Sequence, residues 1–265
     1  MLIAEAALPR KLHVVRVPAD MDKAPGLVIA DVHSGDGFCD QDKFEELILQ
    51  SEAENWWNII IGDAFQMHLK NSKGAPQEQI WSPERQHQYL KKWFGRIRKR
   101  IFLILDGNHE LRLEKDGAYS PMLRLAESLG IEDTYSHGTG WLKIATESSS
   151  KIGYTIHAKH GAGGGQSPGS ELAMVAKSQL QAVADIYIGA HMHRGAFSAP
   201  GEIEIPDVRN EVIERRPYWY LAAPSLQVGW GSYADNGGRR MMQTKQALLI
   251  PDMRKGHRNV EVKFI

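Results

Sequence analysis

The sequence predicts a mixed α/β fold (α+β) built from two sheets. Three buried strands alternate with helices in the first half of the chain, which is the pattern of a parallel sheet covered by helices. The second half has more strands and fewer helices, which indicates a second sheet packed on the first. We expect residues 26–265 to form one domain, with residues 1–25 as an extension of uncertain order.

The first-half elements are predicted from apolar runs and from helix start signals. Ser82-Pro83 and Ser120-Pro121 each combine an N-cap residue with proline at the first helical position. Gly130 ends the second of these helices. The predicted strands are Gly26–Asp31, Trp56–Gly62 and Ile101–Asp106, and the predicted helices are 40–55, 82–100 and 120–130.

In the second half, Trp141–Thr146 and Lys151–Ala158 are predicted to form a hairpin. Pro168–Ala184 is predicted to be a helix. Further strands are expected at Asp185–Gly189, Ile203–Ile205, Tyr218–Ala222, Lys245–Ile250 and Asn259–Ile265.

Composition excludes several classes of protein. The 32 basic and 32 acidic residues balance, which argues against a globally basic nucleic-acid surface. A single cysteine, Cys39, excludes a disulfide framework and a thiolate-rich metal site. No apolar run reaches the roughly 18 residues of a membrane helix, and the start of the chain lacks the basic region of a secretory signal. We therefore expect a cytoplasmic protein that does not span a membrane.

Polar clusters follow the predicted strands. They are Asp31-Val-His33, Gly62-Asp63, Asp106-Gly-Asn108-His109-Glu110, His160-Gly161 and Gly189-Ala-His191-Met-His193. Open α/β sheets bind ligands outside the carboxyl ends of their strands, so these clusters can converge at one edge. Asp, Asn and His suit Mn, Fe, Zn or Ni, and seven such ligands are too many for one ion. The pattern therefore favours two divalent transition-metal ions that share a carboxylate, the apparatus for displacement at phosphorus.

Taken in order, these five motifs resemble the calcineurin-like metallophosphoesterase superfamily, and the resemblance extends from Asp31 to about Ser225. It implies a two-sheet sandwich flanked by helices in four layers, with a dinuclear metal centre, manganese being favoured. It also implies ligand sets. The first metal would be held by Asp31, His33, Asp63 and His193, and the second by Asp63, Asn108, His160 and His191.

The implied activity is hydrolysis of phosphate esters, phosphodiesters being favoured, by a hydroxide that bridges the two metals. His109 would stabilise charge on the phosphate or protonate the leaving oxygen. Asn108 and His109 would contact substrate, together with Arg239 from a glycine-rich loop, although that loop can equally be an ordinary surface loop. His160 is favoured over His157 as the ligand because a glycine follows it.

Two positions depart from the family pattern. Gln66 stands where many relatives carry a carboxylate or Asn, so it cannot supply a negative charge to hold His109 protonated, and Glu110 or Asp36 are candidates to help. Ala190 separates Gly189 from His191. The arginine-rich signature of the Ser/Thr protein phosphatases is absent.

The expected substrate is a phosphorylated small molecule or a phosphodiester, and the sequence leaves the oligomeric state open. Two alternatives remain: a nuclease acting on DNA or RNA, and a catalytically idle scaffold that binds proteins. The basic segment 91–100 can contact a nucleic-acid backbone, but a solvated helix face is favoured.

Overall fold

A computed structural model describes residues 11–69, 76–115, 119–163, 165, 167–230 and 243–265. The strands of this part of the chain are β1 (Leu12–Val17), β2 (Gly26–Ile29), β3 (Trp57–Ile61), β4 (Ile101–Leu105), β5 (Tyr135–Ser136), β6 (Thr139–Thr146), β7 (Ser149–Lys159), β8 (Ile186–Gly189), β9 (Ala196–Phe197), β10 (Gly201–Asp207), β11 (Val212–Ala222), β12 (Ala247–Pro251) and β13 (Val260–Phe264). The α-helices are α1 (Gln41–Ala53), α2 (Pro83–Ile97), α3 (Asn108–Lys115), α4 (Pro121–Leu129) and α5 (Ser170–Ala176).

The strands form two sheets. The six-stranded sheet has the order β13-β12-β2-β3-β4-β5, and its last four strands are parallel. The seven-stranded sheet has the order β1-β6-β7-β8-β11-β10, with β9 paired to β11. In this sheet β7, β8 and β11 are parallel. Parallel strands end at the same edge of a sheet, so the residues after β2, β3 and β4, and those after β7 and β8, start from common edges.

Three apolar clusters define the layers. Val28, Ile59 and Leu103 of the six-stranded sheet pack against residues of the seven-stranded sheet such as Ile156 and Trp219. The opposite face of the six-stranded sheet packs against α1, α2 and α4. The outer face of the seven-stranded sheet packs against α5. The order helix, sheet, sheet, helix confirms the predicted fold class.

The helix start signals operate as predicted. The Ser82 and Ser120 hydroxyls accept hydrogen bonds from backbone N–H groups of the first turns of α2 and α4. Gly130 ends α4 in the left-handed conformation. Each helix then buries its apolar side against the sheet, so local signals and packing agree.

Three elements differ from the predictions. The helix expected over Pro168–Ala184 is shorter, because α5 gives way to a 3₁₀ turn at Lys177–Leu180, where Leu180 is 88% exposed. The Gly-Asn-His-Glu motif, read as a polar cluster after a strand, begins α3. Within the segment predicted as an extension, residues 12–17 form β1, which pairs with β6. Among the described residues, no helix is long and apolar enough to cross a membrane.

Candidate metal centre

The seven predicted metal ligands and His109 meet at one edge of the sandwich. Each lies within four residues after the end of β2, β3, β4, β7 or β8. The acidic residues come from the six-stranded sheet, and three histidines come from the seven-stranded sheet. This convergence is what the sequence motifs predict for strand-end clusters.

The backbone at this edge is strained. Asp31, His33 and Asp63 have φ angles of 47°, 53° and 49°, and His191 and His193 have 70° and 58°. Left-handed backbone is unfavourable for residues with a Cβ and costs about 1–3 kcal/mol each. The surrounding contacts therefore hold five of the seven predicted ligands in conformations that few residues adopt.

Gly107 allows two of the loops to approach closely. A Cβ at this position would lie 2.1 Å from Asp63 Oδ1 and 2.3 Å from the Asp63 nitrogen. Only glycine leaves room for the loop after β3 beside the loop after β4. The glycine of the Gly-Asn-His-Glu motif is thus required by packing against Asp63.

A first group of ligand atoms contains Asp31, His33 and His193. The two histidine Nε2 atoms are 3.1 Å apart. Asp31 Oδ1 lies 3.5 Å from Nε2 of His193 and 3.9 Å from Nε2 of His33. This Oδ1 atom is buried and has no hydrogen-bond partner. His33 donates Nδ1–H to Gln66 Oε1 at 2.8 Å, which leaves the lone pair of Nε2 directed at the group.

A second group contains Asp63, Asn108, His160 and His191. His160 Nε2 lies 3.2 Å from both Asp63 Oδ2 and Asn108 Oδ1. His191 Nδ1 lies 2.6 Å from the same Asn108 oxygen. Asp63 also lies in a cluster with His33 and His109, so its carboxylate stands between the two groups.

The tautomers in the second group are set by backbone carbonyls. His160 donates Nδ1–H to the Ile61 carbonyl at 2.7 Å, and His191 donates Nε2–H to the Gly163 carbonyl at 2.9 Å. Burial lowers the pKa of His191, so its ring is neutral and the remaining nitrogen, Nδ1, is an acceptor. His191 Nδ1 and Asn108 Oδ1 consequently face each other as two acceptors with no proton between them. A cation between such atoms removes the repulsion, so these residues fit a metal ion.

The charges point to the same conclusion. Burial raises the pKa of Asp31 to about 7, although the positive charge of His160 opposes the shift. Burial would lower the pKa of His160, but attraction to Asp63 and Asp31 outweighs it and raises that pKa to about 10. Burial lowers the pKa of His193 to about 3. Without metal, a proton on His160 would offset the charge of the buried carboxylates, and divalent cations would supply that positive charge instead.

His109 is held by the main chain. Its Nδ1 lies 2.5 Å from the Gln66 carbonyl oxygen, and its backbone N–H donates to Asp63 Oδ1 at 2.8 Å. Nε2 is the free ring nitrogen and lies 3.9 Å from Asp63 Oδ2. Burial lowers the pKa of His109, against the attraction of Asp63. Gln66 therefore orients His109 through its backbone carbonyl and His33 through its side chain.

Asp36 and Glu110, considered as helpers of His109, contact other groups. Asp36 is buried and accepts hydrogen bonds from the side-chain amides of Gln66 and Gln227. Glu110 is fully buried and accepts from the backbone N–H groups of Asp63, Phe65 and Gly107 at 2.8–2.9 Å. Asp36 thus supports the residue that holds His33, and Glu110 ties the loops after β3 and β4 together.

The remaining candidates are less central. Arg239 lies outside the described residues. His157 is buried on β7, with its ring 4.9 Å from that of Trp141, among the aromatic residues of the outer sheet face. In the basic segment, Arg96 pairs with Glu52, and Arg98 and Arg100 donate to backbone carbonyls. These three arginines therefore have partners within the chain.

Sequence reasoning missed two further residues. Arg194, directly after His193, forms a buried ion pair with Glu171 at 2.8 Å and donates to the Gly165 carbonyl. Arg112 lies one turn after His109 on α3, a position that could have been found from the helical spacing if the helix itself had been predicted.

Comparison with known proteins gives no family model that matches the chain and no match among curated proteins. Solved structures do match. YfcE, a phosphoesterase from E. coli, is 11% identical, with 90% of this chain and 98% of that chain covered and a TM-score of 0.41. Vps29 of Entamoeba histolytica in complex with Zn²⁺ is 12% identical, with 91% and 98% covered and a TM-score of 0.37.

A third match, a Thermotoga maritima protein solved by NMR, is 16% identical, with 91% and 99% covered and a TM-score of 0.38. At such low identities and TM-scores, the matches carry no argument about activity, and the geometry of the side chains carries it instead.

Proposed function

We propose that this protein is a phosphoesterase that depends on two divalent metal ions. The observation that carries the proposal is the second group of ligand atoms, where His191 Nδ1 and Asn108 Oδ1 lie 2.6 Å apart as two acceptors beside Asp63 and His160. The first group adds the buried, unpartnered Asp31 Oδ1 beside His33 and His193. Asp63 is the carboxylate that both ions would share.

The chemistry that such ions supply when bound is activation of water and neutralisation of charge on the phosphoryl oxygens. The family resemblance favours manganese, and the nitrogen and oxygen donor set admits Fe, Zn and Ni equally. The protein's own contribution is to fix the ligands, since Gln66 and the carbonyls of Ile61 and Gly163 set the histidine tautomers.

His109 acts on the leaving oxygen in this proposal. The Gln66 carbonyl engages Nδ1, so Nε2 is the atom that holds and donates the proton. The protein lowers the pKa of His109, and the negative charge of a bound phosphate ester opposes that effect. Such a proton donor contributes about 10²–10⁴-fold to rate.

The decisive experiment combines metal analysis with a hydrolysis assay. Purified protein loaded with Mn²⁺ should hold close to two ions per chain and hydrolyse bis-p-nitrophenyl phosphate, and EDTA should abolish the reaction. Asp63→Asn should lose both metal and activity. His109→Asn should keep the metal and lose about 10²–10⁴-fold in kcat, while the exposed His257→Asn serves as the matched control and should change neither.

A folded protein that binds no metal and stays inert with added Mn²⁺ would favour the scaffold. Unchanged turnover in His109→Asn would remove the role assigned to that residue. Comparing bis-p-nitrophenyl phosphate with p-nitrophenyl phosphate tests the proposed preference for diesters.

A further inference from the structure

Arg112, for which the described residues supply no hydrogen-bond or ion-pair partner, lies beside His109. Arg112 follows His109 by three residues on α3, so the two side chains share one side of the helix. Its Nη1 is shielded from solvent and has no hydrogen-bond partner. Within the part of the chain that the structure describes, Arg112 forms no hydrogen bond or ion pair. Burial lowers the pKa of Arg112, against the attraction of Asp63 and Glu110. Both carboxylates already accept hydrogen bonds from other groups, and neither forms a salt bridge with Arg112.

His68 lies on the same side of His109. The two rings are 5.8 Å apart and perpendicular. Nδ1 of His68 is buried and also lacks a partner. Burial, followed by the nearby charges of His109 and Arg112, lowers the pKa of His68 to about 4. No carboxylate is among the groups that set this pKa, and Nη1 of Arg112 and Nδ1 of His68 both lack a hydrogen-bond partner among the described residues.

We propose that Arg112 and His68 form a subsite for a second oxyanion of the substrate, a carboxylate or phosphate carried by the leaving group. This inference depends on the proposed phosphoesterase function. His109 contacts Asp63 and His33 of the ligand groups and also contacts His68, so the subsite adjoins His109. Arg112 is about 4.5 Å further along the helix axis than His109, one turn from the residue proposed to act on the leaving oxygen.

The physical reason is the cost of an unpaired buried donor. An arginine that only supports the fold normally finds a carboxylate or carbonyl, as Arg194 does with Glu171 and Gly165. An oxyanion can accept from the guanidinium of Arg112 and from His68 at once. Hydrogen bonds to a charged group change affinity by about ten- to a hundredfold.

Binding of two phosphonates tests the subsite without relying on turnover. Ethylphosphonate and phosphonoacetate differ by a methyl group against a carboxylate. With the Mn²⁺-loaded protein in a calorimeter, we expect phosphonoacetate to bind at least tenfold more tightly. In Arg112→Gln this preference should fall to within about twofold, while the affinity for ethylphosphonate changes by less than about threefold. Arg112→Lys should restore part of the preference, because it keeps the charge but not the planar fork.

Arg209→Gln is the matched control, since this arginine lies at the exposed tip of the β10–β11 hairpin, and it should keep the full preference. His68→Asn should reduce the preference for phosphonoacetate by about two- to fivefold. If Arg112→Gln does not fold, His68→Asn and Arg112→Lys together test the subsite. Methylenediphosphonate as a third probe shows whether phosphate or carboxylate is the preferred oxyanion.

Equal binding of the two phosphonates by the wild-type protein overturns the subsite but leaves the phosphoesterase proposal intact, because ethylphosphonate still binds. A preference that survives in both Arg112→Gln and His68→Asn also overturns it. Failure of the metal-loaded wild-type protein to bind either phosphonate overturns both proposals together.

Discussion

The two sheets hold their halves of the candidate metal centre by different means. On the acidic side (residues 31–36, 62–68 and 106–110), backbone bonds join the loops: the His33 nitrogen donates to the Asp63 carbonyl at 2.9 Å and the Ser34 nitrogen to the Ala64 carbonyl at 2.8 Å. The buried Glu110 adds three more bonds. On the histidine side (residues 160–163 and 190–194), the Ala190 nitrogen donates to the His160 carbonyl at 2.9 Å, and Arg194 forms a buried ion pair with Glu171.

The difference shows where the site is preorganised. The acidic side is a network of backbone bonds that forms as the sheet forms. The histidine side has one such backbone bond and otherwise depends on side-chain contacts. These are the Arg194–Glu171 pair and two bonds that cross between the sheets, from His160 Nδ1 to the Ile61 carbonyl and from the His191 nitrogen to Asp31 Oδ2. We therefore expect the acidic side to keep its geometry without metal and the histidine side to depend more on individual side chains.

Removing the Glu110 carboxylate should have the largest effect. Glu110→Ala leaves three buried backbone N–H groups without an acceptor, each costing about 1–3 kcal/mol. We expect the free energy of unfolding to fall by about 5 kcal/mol, measured by urea denaturation. Glu114→Ala on the same helix is the control, and its exposed side chain should cost less than about 0.5 kcal/mol. Similar losses in the two variants would contradict the anchoring role of Glu110.

Breaking the buried Arg194–Glu171 pair on the histidine side should lower the free energy of unfolding by less than the loss of the Glu110 carboxylate does. Arg194→Ala leaves Glu171 buried and unpaired, with an expected loss of about 3 kcal/mol in the same assay. Arg216→Ala removes an exposed arginine that pairs with Glu214, so it serves as the matched control and should lose less than about 1 kcal/mol. A loss below that of the control would mean that the Arg194 pair does not hold the loop.

Replacing Asp31 tests whether a bound cation offsets the free-energy cost of burying a carboxylate on the acidic side. In EDTA, Asp31→Asn should gain about 1 kcal/mol, because the amide avoids burying a carboxylate oxygen without a partner. With Mn²⁺ at a hundred times its Kd, the wild-type protein should gain about 2.7 kcal/mol and the variant far less. Thermal unfolding with and without metal measures both. Equal metal-induced gains would exclude Asp31 as a ligand.

The fold could be predicted where local signals and burial coincide. Short stretches of sequence are enough to predict the helix starts at Ser82-Pro83 and Ser120-Pro121 and the apolar strands β2, β3 and β4. β1 was missed because its alternate residues are exposed, Leu12 and Val14 among them, so the strand is defined by its pairing with β6. Such long-range pairing leaves a weak local pattern.

The residues of the site also divide into those that local sequence predicts and those that it does not. Ligand types and their strand-end positions are local features, so Asp31, Asp63, Asn108 and the histidines could be proposed from the sequence. The role of Gln66 could not, because its backbone carbonyl rather than its side chain contacts His109. The Arg194–Glu171 pair joins residues from separate elements, and no spacing rule connects them.

The smallest predicted effect lies at the far edge of the seven-stranded sheet. His13 on β1 is buried, and burial, assisted by the charge of Lys11, lowers its pKa, against the attraction of Asp133. The folded state therefore binds fewer protons than the unfolded state, whose histidines titrate near about 6.5. The contribution of His13 to stability is full above that pH and is lost as the pH falls below it.

The Mn²⁺-loaded protein isolates this effect, because the proposed ligand histidines then hold metal instead of protons. As the pH falls from about 7.5 to about 5.5, we expect the free energy of unfolding, measured by urea denaturation, to decrease by up to about 1 kcal/mol more in the wild-type protein than in His13→Gln. The exposed His257→Gln should follow the wild-type profile. Parallel profiles for the wild-type protein and His13→Gln would show that the edge strand β1 opens to water.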